Sequence, residues 1–308
     1  MDSEEALSRF QAGKLKESDE EWHLLVTPAA CDALGKVEVQ RQSVIFEIIK
    51  SERDYVADLE AVEGVGLAHP SCLIPSRLNN NLMKVYIDQL HSTTPPIISQ
   101  PNLNNFIQKV FGNLHEILVY HQQILAALYD RQREQHPVIL SIADIFLDSK
   151  CLLSIHQVHY SSFLATLKGG FCNAYEIYIK NYPLAESHHR NLLRQKRTYE
   201  NFLQSVARDP RIRKRDLITL LSRPVTRLPR LNLLLEQTLK FTSGEADHPD
   251  LETLPLILCI LKDCIKSTQP GIEAAESKVK FWALCESLVF RKGEIMVSHL
   301  QLVYFVNS

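Results

Sequence analysis

Four charged residues on two stretches of this chain are the ones whose types and spacing could do chemistry. Glu47 and Glu52 lie in the run 43–59, Arg227 and Arg230 in the run 221–236. Carboxylates and guanidinium groups on helices either bind a partner protein by charge or hold one another inside a core. Other chemistries lack their residues. There is no P-loop glycine–lysine motif and no Gly-x-Gly-x-x-Gly to cradle nucleotide phosphates. There is no His-Glu-x-x-His and no Gly-x-Ser-x-Gly, and a Cys/His dyad is left without support. His156 and His159 have metal-like spacing, but no nearby Cys or carboxylate completes a set. No metal and no cofactor are expected.

The elements that must position these charges read as helices. A long helix is predicted from about Lys36 to Glu63. Ile45, Ile48, Ile49, Tyr55, Val56 and Leu59 fall on one of its faces at helical spacing. Glu47 lies roughly 140° from the centre of that stripe, so it faces outward. Glu52 falls near the centre, where a carboxylate needs an intramolecular hydrogen bond or ion pair. Along 214–240, Leu228, Leu231, Leu234, Leu235 and Thr238 set the inward direction. Arg230 and Gln237 lie roughly 115–135° from it and face outward, while Arg227 sits at the stripe's edge and reads as structural. By periodicity alone, Glu47 and Arg230 are ordinary solvated face charges.

The rest of the chain is read the same way. Further helices are predicted over Leu103–Gln135, Cys151–Leu167, Phe171–Asn181 and Ala185–Ala207, with a short one near Leu82–Leu90. Pro183 is expected to break the chain. Pro224 and Pro229 should kink the helix that carries Arg227 and Arg230. A last helix spans Leu251–Thr268, with Pro270-Gly271 a stop or a kink. Residues 1–36 read as an arm anchored by Trp22-His23-Leu24-Leu25-Val26. Leu288–Glu294 and Leu300–Val306 read as strands or apolar edges.

With 308 residues, 45% hydrophobic and 23% charged, the composition is that of a globular protein. A net charge of −2 gives no global case for nucleic acid or an anionic membrane. The run Arg211–Arg215 is locally basic: a nuclear signal, an anionic patch or, more ordinarily, a solvated helix end. Seven scattered cysteines without Cys-x-x-Cys read as small core residues in a reducing compartment. The acidic N-terminus has no apolar signal region, and no stretch is apolar enough to span a membrane.

The order of the residues adds a family. Residues 43–59 resemble the first conserved region of Dbl homology (DH) domains, the exchange modules for Rho-family GTPases, and residues 221–236 resemble the third. Val110–Ile117, Ile142–Leu147 and Tyr175–Tyr182 are similar to the blocks between, so the resemblance covers roughly 40–270 in order. Glu21-Trp22-His23 and the run 223–230 look most like the fungal exchange factors for the cell-wall Rho GTPase.

The resemblance implies an all-α fold, an elongated DH-type helical bundle with a short extended C-terminal remnant. Residues 1–36 would be an N-terminal arm, 37–276 the DH domain, and 277–308 a linker helix and the incomplete start of a pleckstrin homology (PH) domain. The implied function is guanine-nucleotide exchange on a Rho-family GTPase, with GDP release and GTP loading promoted by stabilising the nucleotide-free state. No covalent chemistry is involved. Glu47 would engage the first switch of the GTPase. Arg230 stands beside the second switch where the family usually has lysine. Gln269 stands for an asparagine one methylene shorter, and Thr226 for a common glutamine; Gln237 completes the GTPase-binding set. Glu52 and Arg227 would be structural. The alternative is a degenerate, non-exchanging GTPase-binding or scaffold module. Phosphoinositide binding is not expected with so little PH domain. The chain is expected in the cytoplasm, with any peripheral placement at the plasma membrane or cell cortex coming through partners. The acidic stretch Glu17–Glu21 raises autoinhibition by the arm as a hypothesis.

Overall fold

Ile45, Ile48, Ile49, Tyr55, Val56 and Leu59 are all buried, so the stripe of 43–59 is the inner face of a helix. The computed structural model describes residues 3–63, 86–147, 170–213, 215–242 and 247–287. Among these residues every regular element is a helix and no strand occurs. The all-α class that the resemblance implies is therefore the class observed among these residues.

The chain begins with α1 (Ser3–Gln11) and two short 3-10 turns, Glu17–Asp19 and Trp22–Leu24. The helix α2 (Pro28–Glu63) is broken at Gly35, where φ is 75°. Then come α3 (Ile87–Ser92), α4 (Gln100–Phe111), α5 (Leu114–Gln135) and α6 (Ala143–Leu147). The second half holds α7 (Cys172–Gln195), α8 (Arg197–Val206), α9 (Leu217–Leu221), α10 (Arg223–Thr242) and α11 (Asp250–Ser287). At about 1.5 Å per residue, α11 with 38 residues reaches roughly 57 Å, and the part of α2 that follows Gly35 reaches roughly 40 Å. Such helices make the bundle elongated. The helix α2 packs along α10 and α5, and α11 packs along α7 and α10.

Several helix boundaries differ from the sequence expectation, each for a physical reason. Leu103–Gln135 is two helices, because Gly112 adopts φ 55° and Asn113 turns its amide onto the carbonyl of Ala174, 3.0 Å away. Pro183 does not break α7: losing one i to i−4 bond is tolerable when both flanks are packed. The break falls instead at Lys196, which is extended and donates to the carbonyl of Ile97 at 2.9 Å. Pro224 is the second residue of a new helix, where no intrahelical N–H bond is lost; Pro229 lies inside it. The helix α11 runs through Pro270 and Gly271 to Ser287. At Gly271 the Lys180 side chain lies so close that an added Cβ would sit 2.2 Å from its Cγ.

The segment before α2 is part of the core. Phe10, Trp22, Leu25 and Val26 share one apolar cluster with Ile45 and Ile49. Glu20, itself buried, bridges Lys50 and Arg53, and Arg53 stacks over the Phe10 ring at 4.7 Å. A second buried joint ties α2 to the start of α11. Arg41 contacts Asp250, the first residue of α11, at 3.3 Å and donates to Thr242 and to the carbonyls of Ile139 and Leu140. An aspartate at that position also suits the helix dipole.

The cysteines divide: Cys172 and Cys264 are buried, Cys31 and Cys285 half-buried, and Cys259 exposed. The helix expected over Cys151–Leu167, with His156 and His159, lies outside the described residues, as do Leu288–Glu294 and Leu300–Val306. Among the described residues no helix is long and apolar enough to cross a membrane.

Candidate functional site

Where α2 crosses α10, the two outward charges meet. An Nη of Arg230 donates to Oε1 of Glu47 at 2.5 Å, and the two side chains remain 53% and 40% exposed. On α10 the residues Thr226, Arg230, Leu233 and Gln237 follow at steps of four, three and four, and all are exposed. They form one outward ridge. Leu233 is 57% exposed, an apolar group in the middle of this polar ridge. The sequence reading did not single it out, although a leucine at the outward angle shared by Arg230 and Gln237 is the signal that would have found it.

The Thr226 hydroxyl donates to the carbonyl of Arg223 at 3.1 Å. Gln269 lies on α11, which is antiparallel to α10. Glu236 pairs with Lys262 at 2.7 Å, and Val225 faces Ile272 across a groove of about 480 Å³. This register sets Gln269 opposite the Arg230 end of α10. Its amide donates to Glu273 at 3.0 Å, so its contact runs along its own helix.

The acidic ridge of α2 continues past Glu47. Asp54 and Asp58 lie seven and eleven residues on, on the same face. Arg213 reaches Asp54 at 3.8 Å; Arg215 and Arg223 pair with Asp58, Arg223 at 2.7 Å. Two arginines of the basic run 211–215 are thus turned onto α2.

The same two helices also carry a buried counterpart. Glu52 is fully buried and accepts from Arg227 through Oε2. Its Oε1 is 2.5 Å from Nδ1 of His121. Arg227 also donates to Ser51 at 3.0 Å and lies over the Tyr55 ring at 5.5 Å. Burial pushes the Glu52 carboxyl up, but His121 and Arg227 outweigh it and hold it below the usual carboxylate range. Burial also pushes the phenols of Tyr55 and Tyr175 well up, so both stay protonated. His121 is the partner that the sequence could not name for Glu52. Among the described residues no three His, Cys, Asp or Glu side chains come together as metal ligands.

The RhoGEF domain model matches residues 44–269, which includes Glu47, Glu52, Thr226, Arg227, Arg230, Leu233, Gln237 and Gln269. The chain is 26% identical over 275 residues to Rho1 guanine nucleotide exchange factor 2 of Schizosaccharomyces pombe, covering 89% of this chain and 20% of that protein. It is 24% identical to RHO1 GDP-GTP exchange protein 1 of Saccharomyces cerevisiae, covering 90% of this chain and 20% of that one. The chain thus spans about a fifth of the length of these relatives. Its fold is similar to the DH/PH domains of p115-RhoGEF (TM-score 0.65, 18% identity, 93% of this chain and 67% of that one). It is also similar to the DH/PH domains of PDZ-RhoGEF in complex with GTP-gamma-S-activated RhoA (TM-score 0.63, 17% identity, 85% and 61%). With a match that runs through most of its length and takes in both crossing helices, the chain belongs to the RhoGEF domain family.

Proposed function

We propose that the chain is a guanine-nucleotide exchange factor for a Rho-family GTPase, which it binds through the crossing of α2 and α10. The observation that carries this reading is the exposed Glu47–Arg230 pair inside the matched domain. Relatives over most of this chain are named as Rho1 exchange factors, and a structural neighbour holds RhoA.

The free protein keeps its two charges on each other. An exposed pair of this kind is worth about 0–1 kcal/mol, so a partner opens it at little cost. A GTPase that offers a donor to Glu47 and an acceptor to Arg230 replaces one weak bond with two. Glu47 would meet the first switch and Arg230 the second, with Leu233 supplying apolar contact between Arg230 and Gln237. Thr226 and Gln269 would border the surface. Arginine at 230 brings a planar fork where lysine brings a point charge, which favours a carboxylate partner. Exchange then follows from differential binding: contacts stronger to the emptied GTPase than to the loaded one lower the barrier to GDP loss. No covalent bond forms or breaks. Peripheral placement at the plasma membrane or cell cortex would come through the GTPase.

The test is release of a fluorescent GDP analogue from a Rho GTPase, with and without the chain, beside Glu47→Ala. The expected outcome is acceleration that falls at least about tenfold in the variant, about 1.4 kcal/mol of lost differential binding. Binding to the nucleotide-free GTPase without acceleration would favour a non-exchanging binder. The departures at Thr226, Arg230 and Gln269 are what keep that second reading in play.

A further inference from the structure

We infer that His121 is a positioning residue for this surface: it acts through Glu52 and Arg227 to hold α2 and α10 in the register in which Glu47 meets Arg230. The inference rests on the exchange reading and adds a residue from a third helix, α5, that never reaches the surface.

His121 is 0% exposed. Its Nδ1 is 2.5 Å from Oε1 of Glu52, and its Nε2 is 2.6 Å from the hydroxyl of Tyr175, which is 3.1 Å from the hydroxyl of Tyr55. A carboxylate only accepts, so Nδ1 must carry a proton. The remaining protons fall in one direction. The Tyr55 O–H donates to Tyr175, the Tyr175 O–H donates to Nε2, and Nδ1–H donates to Glu52. Each proton of the chain is used. In the opposite sense the Tyr55 proton would need another acceptor in the core. The ring plane is fixed by edge contacts with Tyr55 at 4.7 Å and Tyr175 at 5.7 Å and a tilted contact with Phe171 at 5.5 Å.

The geometric consequence is a divided carboxylate. His121 occupies Oε1 of Glu52, which leaves Oε2 aimed at Arg227. Arg227 precedes Arg230 by one turn of α10, and Glu52 follows Glu47 by less than two turns of α2. A rotation of α10 that broke Arg227 from Glu52 would carry Arg230 away from Glu47. Since a misplacement of 1 Å at a working site costs up to about a hundredfold in rate, the buried ring governs exchange without touching the partner.

The experiment compares His121→Asn, whose amide places a donor near Nδ1, with His121→Met, which has none, and with Tyr175→Phe. Each is assayed for maximal GDP-release rate and half-saturating GTPase concentration at a temperature where circular dichroism finds it folded. Nitrogen-15 spectra of the histidine ring are recorded on the wild-type chain. The expected result is a proton on Nδ1 with Nε2 bare. The maximal rate should fall roughly ten- to a hundredfold in His121→Met and recover to within about threefold in His121→Asn. Tyr175→Phe keeps the ring packing and should fall between them. Two protonated ring nitrogens, or a folded His121→Met with the wild-type rate, overturns the inference while the exchange reading stands. A wild-type chain that neither binds nor exchanges a Rho GTPase overturns both.

Discussion

Glu47 with Arg230 and Glu52 with Arg227 are the same chemical pair on the same two helices, less than two turns apart. The first keeps 40% and 53% of its side chains in water; the second keeps 0% and 3%. Burial changes what each pair needs. Removing two charges from water costs several kcal/mol per ion, and one ion pair seldom offsets that. The buried pair therefore comes with His121, Ser51 and the Tyr55 ring as further partners. The exposed pair needs none, because water serves both groups. One pair is a joint that must stay closed. The other is a contact that would open to a partner protein at little cost.

The largest test of this contrast is removal of one buried partner. Glu52→Ala or Arg227→Ala leaves an uncompensated charge in the core and should cost about 3–5 kcal/mol, read by chemical denaturation. A loss below about 1 kcal/mol would erase the distinction between the two pairs. The same joint has a pH signature. The Glu52 carboxyl is held below its unfolded value, so its contribution is fully present above the ordinary carboxylate range. That contribution is lost as pH falls through the lowered folded value, and Glu52→Gln should flatten this part of the acid limb.

A charge swap sharpens the comparison at the surface. Glu47→Arg combined with Arg230→Glu rebuilds the ion pair in reverse. Stability should stay within about 1 kcal/mol of the wild type while exchange is lost, because the partner's groups now meet the wrong sign. If the swapped protein exchanges normally, recognition lies elsewhere on the chain.

The smallest effect is expected at Glu60, a carboxylate on α2 that accepts from one amide among the described residues. Gln122 donates to it at 2.8 Å, but burial dominates and pushes its carboxyl up. A raised carboxyl costs stability as pH climbs from its unfolded value through its folded one. Glu60→Gln should therefore raise stability slightly at neutral pH and leave it unchanged in acid. A neutral-pH loss would mean that Glu60 is ion-paired like Glu52.

Much of the bundle was legible in the sequence, and particular residues say why the rest was not. The inner stripes of α2 and α10 follow from apolar spacing, since a helix must bury that face. The continuity of α7 through Pro183 and of α11 through Pro270 did not follow, because packing offsets one lost backbone bond and packing is not local. The partners of the run 211–215 were also out of reach: nothing near Arg215 in sequence points to Asp58, 157 residues away.

By itself the sequence determined that this chain is helical, that Glu47 and Arg230 face outward, and that Glu52 faces inward and demands a partner. These are consequences of a period of 3.6 residues and of the cost of burying a bare charge. Tertiary structure alone decided that Glu47 and Arg230 meet and that His121 and Arg227 share Glu52. Those outcomes depend on how helices far apart in sequence cross, and crossing is set by the packing of whole faces.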